Sequence, residues 1–327
     1  MSPATGVGSN SSPVWFSGVM ATGIVALALR DAGLAALSWA LAALGAAAWL
    51  ALLAILFCAE AWTGSSAQRA LERFAFVAAT SVLASLAPAP GIAVCLLVLA
   101  TGAWCTFLPG AIATQFGPAG ARARQEARGS WLLAAVGIES LAVTAAEVGR
   151  RYGGHAIILL AGLWWLLGLC VYAALVRILL PPLLRRTGVD ELTGDHWILM
   201  GALAISALAS GRVYAAIAAR RLDPGLLPIL HAGSIACWVG AVCWLPLLAA
   251  AESRGGRDRF QYRVPRWSTV FPLGMLAAAS HALTGTFGFG PGRWVFDVLV
   301  WVATAVWFAV SLGFVRAVGQ RASAERR

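Results

Sequence analysis

The chain has 327 residues, 60% of them hydrophobic and 12% charged, with a formal net charge of +10. Soluble domains carry roughly a quarter charged residues, so this composition excludes a water-soluble globule. The 24 basic residues are all arginine. They stand in short runs between apolar blocks without interleaved exposed aromatics, which favours control of membrane topology over nucleic-acid binding.

Residues 1–13 carry no basic residue ahead of the first apolar block, so a cytoplasmic segment is expected there rather than a cleaved signal peptide. The Asn10-Ser11-Ser12 sequon falls in it and reads as chance. Ten apolar blocks follow, at 14–30, 35–59, 74–88, 91–113, 130–148, 155–180, 196–212, 225–251, 267–283 and 293–317, and residues 318–327 form a tail. The blocks alternate in length. Val14 to Leu29 spans about 24 Å at ~1.5 Å per residue, short of the ~30 Å hydrocarbon core, whereas Ala35 to Ala59 is long enough to cross it. A helix facing lipid must match the bilayer, and one enclosed by other helices need not. The expected fold is therefore an all-α polytopic membrane protein with a transmembrane domain over 14–317, in which five short inner helices are each followed by a longer outer one.

The inner blocks resemble one another when aligned on their leading aromatics, Trp15, Phe74, Trp131, Trp197 and Trp267, at offsets of 59, 57, 66 and 70 residues. A recurring helix pair is the mark of an internally repeated fold, and five parallel inner helices around an axis can leave a channel. Seventeen arginines fall on the amino-terminal side of the blocks and seven on the other. The positive-inside rule then places both termini in the cytoplasm. The 15 Trp are read as interfacial anchors.

Cys58, Cys95, Cys105, Cys170, Cys237 and Cys243 all lie in apolar blocks without CxxC spacing and read as small hydrophobes. His155, His196, His231 and His281 form no HxxxH or HExxH pair. No metal or cofactor is expected. Gly288-Phe-Gly-Pro-Gly292 lacks the Lys-Ser/Thr of a phosphate loop and reads as a turn, with Arg293 and Asp297 an i,i+4 pair beyond it. The basic stretch Glu252 to Arg266 suits contact with lipid headgroups.

Three groups of residues bear on function. Pro272, inside the ninth block, removes one helix hydrogen bond and predicts a kink. Phe271 precedes it, and the aligned positions of the other inner blocks hold the smaller Val19, Ala78, Ala135 and Gly201. One large ring facing four small side chains either plugs a narrow pore against ions or is one more core aromatic. Glu139, deep in the fifth block, needs a partner, water or a proton. It reads equally as a proton acceptor linked to anion movement and as a structural carboxylate bonded to a neighbouring helix. Arg30, Arg212, His281 and Glu147 lie at one level near the carboxyl ends of inner blocks. Arginines converging on an outer mouth would attract anions, whereas interfacial snorkelling, with Arg30 paired to Asp31, is the alternative.

The segment Trp267-Ser-Thr-Val-Phe-Pro-Leu-Gly-Met resembles the corresponding segment of the tellurite-resistance/C4-dicarboxylate transporter family, which includes slow-type anion channels, malate permeases and sulfite efflux pumps. Trp15-Phe-Ser-Gly-Val-Met-Ala-Thr-Gly-Ile and His196-Trp-Ile-Leu-Met-Gly-Ala-Leu-Ala-Ile-Ser are similar to it as well, in the same order. The resemblance implies ten helices as five hairpins around a central pore, a homotrimer in the plasma (inner) membrane, and a pore-blocking phenylalanine at the position of Phe271. It implies transport of small anions such as C4-dicarboxylates, sulfite, tellurite-like or inorganic ions, and no enzymatic activity. Two alternatives stand beside it. An intramembrane enzyme would need several acidic, His or Ser groups facing one another, and a non-transporting receptor has no use for five equivalent inner helices.

Overall fold

The computed structural model describes residues 15–58, 67–116, 128–185, 194–254, 262 and 264–325. The segment 1–13, with its sequon, lies outside them. Ten long helices run through the described residues: α1 Phe16–Asp31, α2 Ala35–Cys58, α3 Phe74–Leu86, α4 Pro90–Phe116, α5 Leu133–Tyr152, α6 His155–Arg185, α7 Trp197–Arg220, α8 Leu227–Arg254, α9 Trp267–Phe287 and α10 Gly290–Glu325. A short helix, Ala67–Glu72, leads into α3. The chain is an all-helical, multi-pass membrane protein.

The alternation in length is present: 16, 13, 20, 24 and 21 residues in the odd helices against 24, 27, 31, 28 and 36 in the even ones. Eight of the ten are long and apolar enough to cross a membrane, and the two short of that are α1 and α3. Burial separates the classes. The apolar windows of α5, α7 and α9 are 94, 67 and 67% buried, whereas those of the even helices are 17–33% buried. Several helices outrun their predicted ends, two of them by eight residues. The seventh extends from 212 to Arg220 through Val213-Tyr-Ala-Ala-Ile-Ala-Ala, and the last continues past 317 to Glu325.

Each odd helix packs against the following even helix as a hairpin. The odd helices also pack on one another in sequence, α1 on α3, α3 on α5, α5 on α7 and α7 on α9, and α9 returns to α1. The five inner helices thus form a closed ring. Close approach of membrane helices needs small residues at the contact, because lipid supplies no hydrophobic drive between helices. Glycines stand at these seams: a methyl group on Gly23 of α1 would lie 2.6 Å from Val82 of α3, and one on Gly137 of α5 would lie 3.3 Å from Phe74 of α3. At the closing seam, a methyl on Gly274 of α9 would stand 3.0 Å from Ile24 of α1.

The outer helices are tied to the ring by a recurring hydrogen bond. Trp49 Nε1 of α2 donates to Thr80 Oγ1 of α3 at 3.0 Å, Trp238 Nε1 of α8 to Ser280 Oγ of α9 at 2.8 Å, and Trp307 Nε1 of α10 to Thr22 Oγ1 of α1 at 2.9 Å. In each case an outer tryptophan reaches the inner helix of the next hairpin. The reading of tryptophan as an interfacial anchor needs correcting for these three, whose indole groups fasten one repeat to the next within the bundle.

Candidate functional site: the axis of the inner ring

Phe271 is fully buried in α9, which runs as one continuous helix through Pro272. The aromatic ring lies against α7. A methyl group on Gly201 would stand 3.2 Å from Phe271 Cε1, and 2.9 and 3.1 Å from Pro272 Cγ and Cβ. Val19, Ala78 and Ala135 are buried in α1, α3 and α5. The absence of a side chain at Gly201 is what lets α9 bring its phenylalanine and proline this close.

One turn along α9 from Phe271, all five inner helices meet around a single cavity of about 20 Å³, room for roughly one water molecule. Ile24 of α1, Val82 of α3, Val143 of α5, Leu208 of α7 and Met275 of α9 supply its apolar wall. Ser81 and Ser85 of α3 and Ser140 and Thr144 of α5 add hydroxyl groups along one side. Thr144 Oγ1 lies 3.0 Å from the carbonyl of Ser140 and 3.1 Å from that of Ser81, which also accepts from Ser85 Oγ at 3.1 Å. Ser81 Oγ is buried and has no protein partner among the described residues. The individual hydroxyls were not singled out in the sequence. Their signal is two i,i+4 hydroxyl pairs, Ser81/Ser85 and Ser140/Thr144, each on one face of an inner helix.

Beyond the cavity lie the carboxyl ends of the inner helices, where arginines also complement the helix dipoles. Arg30 Nη1 donates to the Ser85 carbonyl at 3.2 Å, so the end of α1 reaches a cavity-lining residue of α3. Glu147 Oε1 accepts from Arg150 Nη2 at 2.8 Å and from Arg151 Nε, Glu147 Oε2 accepts from Arg150 Nε at 3.1 Å, and Arg212 Nη1 stands 3.8 Å from Oε2. Arg30 is in electrostatic reach of Asp31 and of Arg151, Arg212 and Glu147. The predicted residues Arg30, Arg212 and Glu147 therefore share one cluster, joined by Arg150 and Arg151, which lie beyond the predicted end of the fifth block. His281 belongs elsewhere. Its Nδ1 faces Asp31 Oδ2 at 3.4 Å, beside a separate side pocket that includes Arg293 and Asp297. Asp31 is also in electrostatic reach of Arg30, the partner expected for it, so it stands between Arg30 and His281.

Glu139 is fully buried but is not part of the cavity wall, since the adjacent Ser140 faces it instead. Its Oε1 accepts from Ser206 Oγ of α7 at 2.7 Å, and Oε2 has no protein partner among the described residues. The carboxylate fits against α6 because Gly168 has no side chain; a methyl there would stand 2.5 Å from Oε1. Glu139 therefore sits between the inner ring and an outer helix.

Two membrane proteins of Mycobacterium tuberculosis resemble part of the chain. MT1776 of strain CDC 1551 / Oshkosh and Rv1735c of strain ATCC 25618 / H37Rv, both described as uncharacterized membrane proteins, are 29% identical to it over 125 residues. The match covers 36% of this chain and 60% of the length of those relatives. Residues 10–315 match the family described as voltage-dependent anion channels (SLAC1), nearly the whole chain. With a closed ring of five inner helices and an arginine cluster at one end of it, the chain belongs to this voltage-dependent anion channel family, a family of proteins that move anions across membranes.

Proposed function

We propose that this protein conducts small anions along the axis of the inner ring, and that the Phe271 ring closes the path. The observation that carries this reading is the succession of three features along the inner helices: Phe271 pressed on Gly201, the hydroxyl-lined cavity one turn further on, and the arginine cluster beyond. Each has a physical task. Arginines from three inner helices raise the local anion concentration and repel cations. Hydroxyl groups replace part of an anion's hydration shell within the ring, where Ser81 Oγ has its hydrogen-bonding capacity unspent. An apolar ring in the narrowest section stops ions because they cannot shed water against it. Pro272 supports this role, since the backbone hydrogen bond it lacks makes that turn of α9 easier to deform.

The cavity admits one water-sized body. Passage of sulfite, a tellurite-like oxyanion or a C4-dicarboxylate such as malate therefore requires the cavity wall to widen as well as the Phe271 side chain to swing aside. The arginine distribution supports placing both termini in the cytoplasm and the Glu147 cluster outside, in a plasma (inner) membrane, with 1–13 and 318–327 as cytoplasmic ends of a single ten-helix domain. His281, paired with Asp31, borders this mouth rather than joining its cluster. The family resemblance supports a homotrimer with one path per subunit. Flux into liposomes from a panel of chloride, nitrate, sulfite and malate, each against a matched cation gradient, tests the reading. Anion flux well above cation flux supports it, and equal permeation by both overturns it.

A further inference from the structure

A groove of about 690 Å³ lies between the outer helices α8 and α10, on the back of α9. Leu245 and Ala249 of α8 and Val302, Val306 and Ala309 of α10 form its walls. Thr269 and Leu273 of α9 form its floor. These two residues flank Phe271 by two positions on either side, so the groove faces away from the ring axis at the level of that phenylalanine. At one end the lining turns polar, with Glu252, Ser253, Tyr262 and Arg266. Arg266 and Glu252 are hydrogen-bonded there, and Trp267 Nε1 donates to the Tyr262 hydroxyl at 3.2 Å.

The dimensions select an occupant. Along α10 the lining extends from Val298 to Gly313, about 22 Å at ~1.5 Å per residue. One leaflet including its headgroup zone measures roughly 20–22 Å. A hydrocarbon chain fits along a slot of this length, with Leu245, Val302 and Val306 against it. The polar end adds charge complementarity. In sequence, the stretch from Glu252 to Arg266 carries five arginines against Glu252 and Asp258, a balance that attracts anionic headgroups. We propose that this groove is a binding site for one anionic phospholipid, its acyl chain laid against α10 and α9 and its phosphate beside Arg266. The proposal is independent of which ion the protein carries.

The test is native mass spectrometry of the delipidated full-length protein in detergent, titrated with dioleoyl-phosphatidylglycerol or dioleoyl-phosphatidylcholine. Wild type should retain one phosphatidylglycerol at a lipid concentration at least tenfold below that needed for phosphatidylcholine. Ala309→Trp fills the slot from an exposed position of α10 and should raise the required concentration at least tenfold; Val302→Trp, also exposed, should do the same. The variant Arg266→Gln keeps the slot, removes the cation beside the phosphate and leaves Glu252 without its partner, and it should erase the preference between the two lipids. Equal retention of both lipids by wild type overturns the proposal, as does unchanged retention in both Trp variants. Loss of subunit association instead of lipid in the Trp variants would make the groove a contact between copies and would also overturn it.

Discussion

Gly201 of α7 and Phe271 of α9 meet so closely that a single added methyl on the glycine would stand 3.2 Å from the aromatic ring and 2.9 Å from the adjoining Pro272. A proline ring has little freedom to withdraw, so Gly201→Ala must displace the turn that carries Phe271. Overpacking of this kind costs about 1–3 kcal/mol. Gly201→Ala should therefore lower the melting temperature while raising basal anion flux in liposomes, because the same shift that strains the contact pulls the aromatic ring off the axis. A destabilised variant with unchanged flux would separate the contact from closure.

Ser81 offers the opposite case, a change that leaves the fold alone. Its hydroxyl lines the cavity and donates to no protein group among the described residues. Ser81→Ala should change stability by less than about 0.5 kcal/mol and reduce anion flux several-fold when measured in a Phe271→Ala background, where the path stands open. Flux equal to that of the parent variant would show that this hydroxyl takes no part in passage.

The ring was legible in the sequence because enclosure removes the need to span the bilayer, and the short block Val14 to Leu29 shows that directly. Aligned aromatics placed Phe271 and Gly201 at one level, and they are in contact. The hydroxyl side of the cavity was harder to read, since Ser81 and Thr144 look like any small polar residues of a membrane helix until the ring turns them to its axis. Trp49, Trp238 and Trp307 misled in a different way. Tryptophan density suggests membrane boundaries, whereas these three indoles are consumed by hydrogen bonds between successive repeats. Arg150 and Arg151 escaped notice because a sequence count assigns them to a loop, while α5 carries them as far as Tyr152 and turns them onto Glu147.

Glu139 separates two roles for a buried carboxylate. Its position behind the cavity wall, bonded to Ser206, supports a tie between α5 and α7. A glutamine side chain keeps an oxygen for the Ser206 hydroxyl, so Glu139→Gln should fold normally and transport with an unaltered rate and pH profile. A flattened or displaced profile in liposome assays from pH 5 to 8 would instead make Glu139 a proton carrier.

The arginine cluster should reveal itself through ionic strength. Arg212→Gln removes a cation from the mouth and should cut flux from dilute anion solutions; Glu147→Gln removes the competing carboxylate and should raise it. Both differences should shrink as salt rises, because the Debye length falls from ~30 Å at 0.01 M to ~3 Å at 1 M. Initial rates measured across that range check this. Equal effects at both ends would place these residues in structural roles.

The central claim, that one benzyl side chain closes a path through five helices, is tested most directly by comparing anion current through wild type and Phe271→Ala in planar bilayers after confirming intact assembly by gel filtration. The account predicts a conductance at least tenfold higher in the variant with anion selectivity retained. A well-assembled variant carrying no more current than wild type would contradict it.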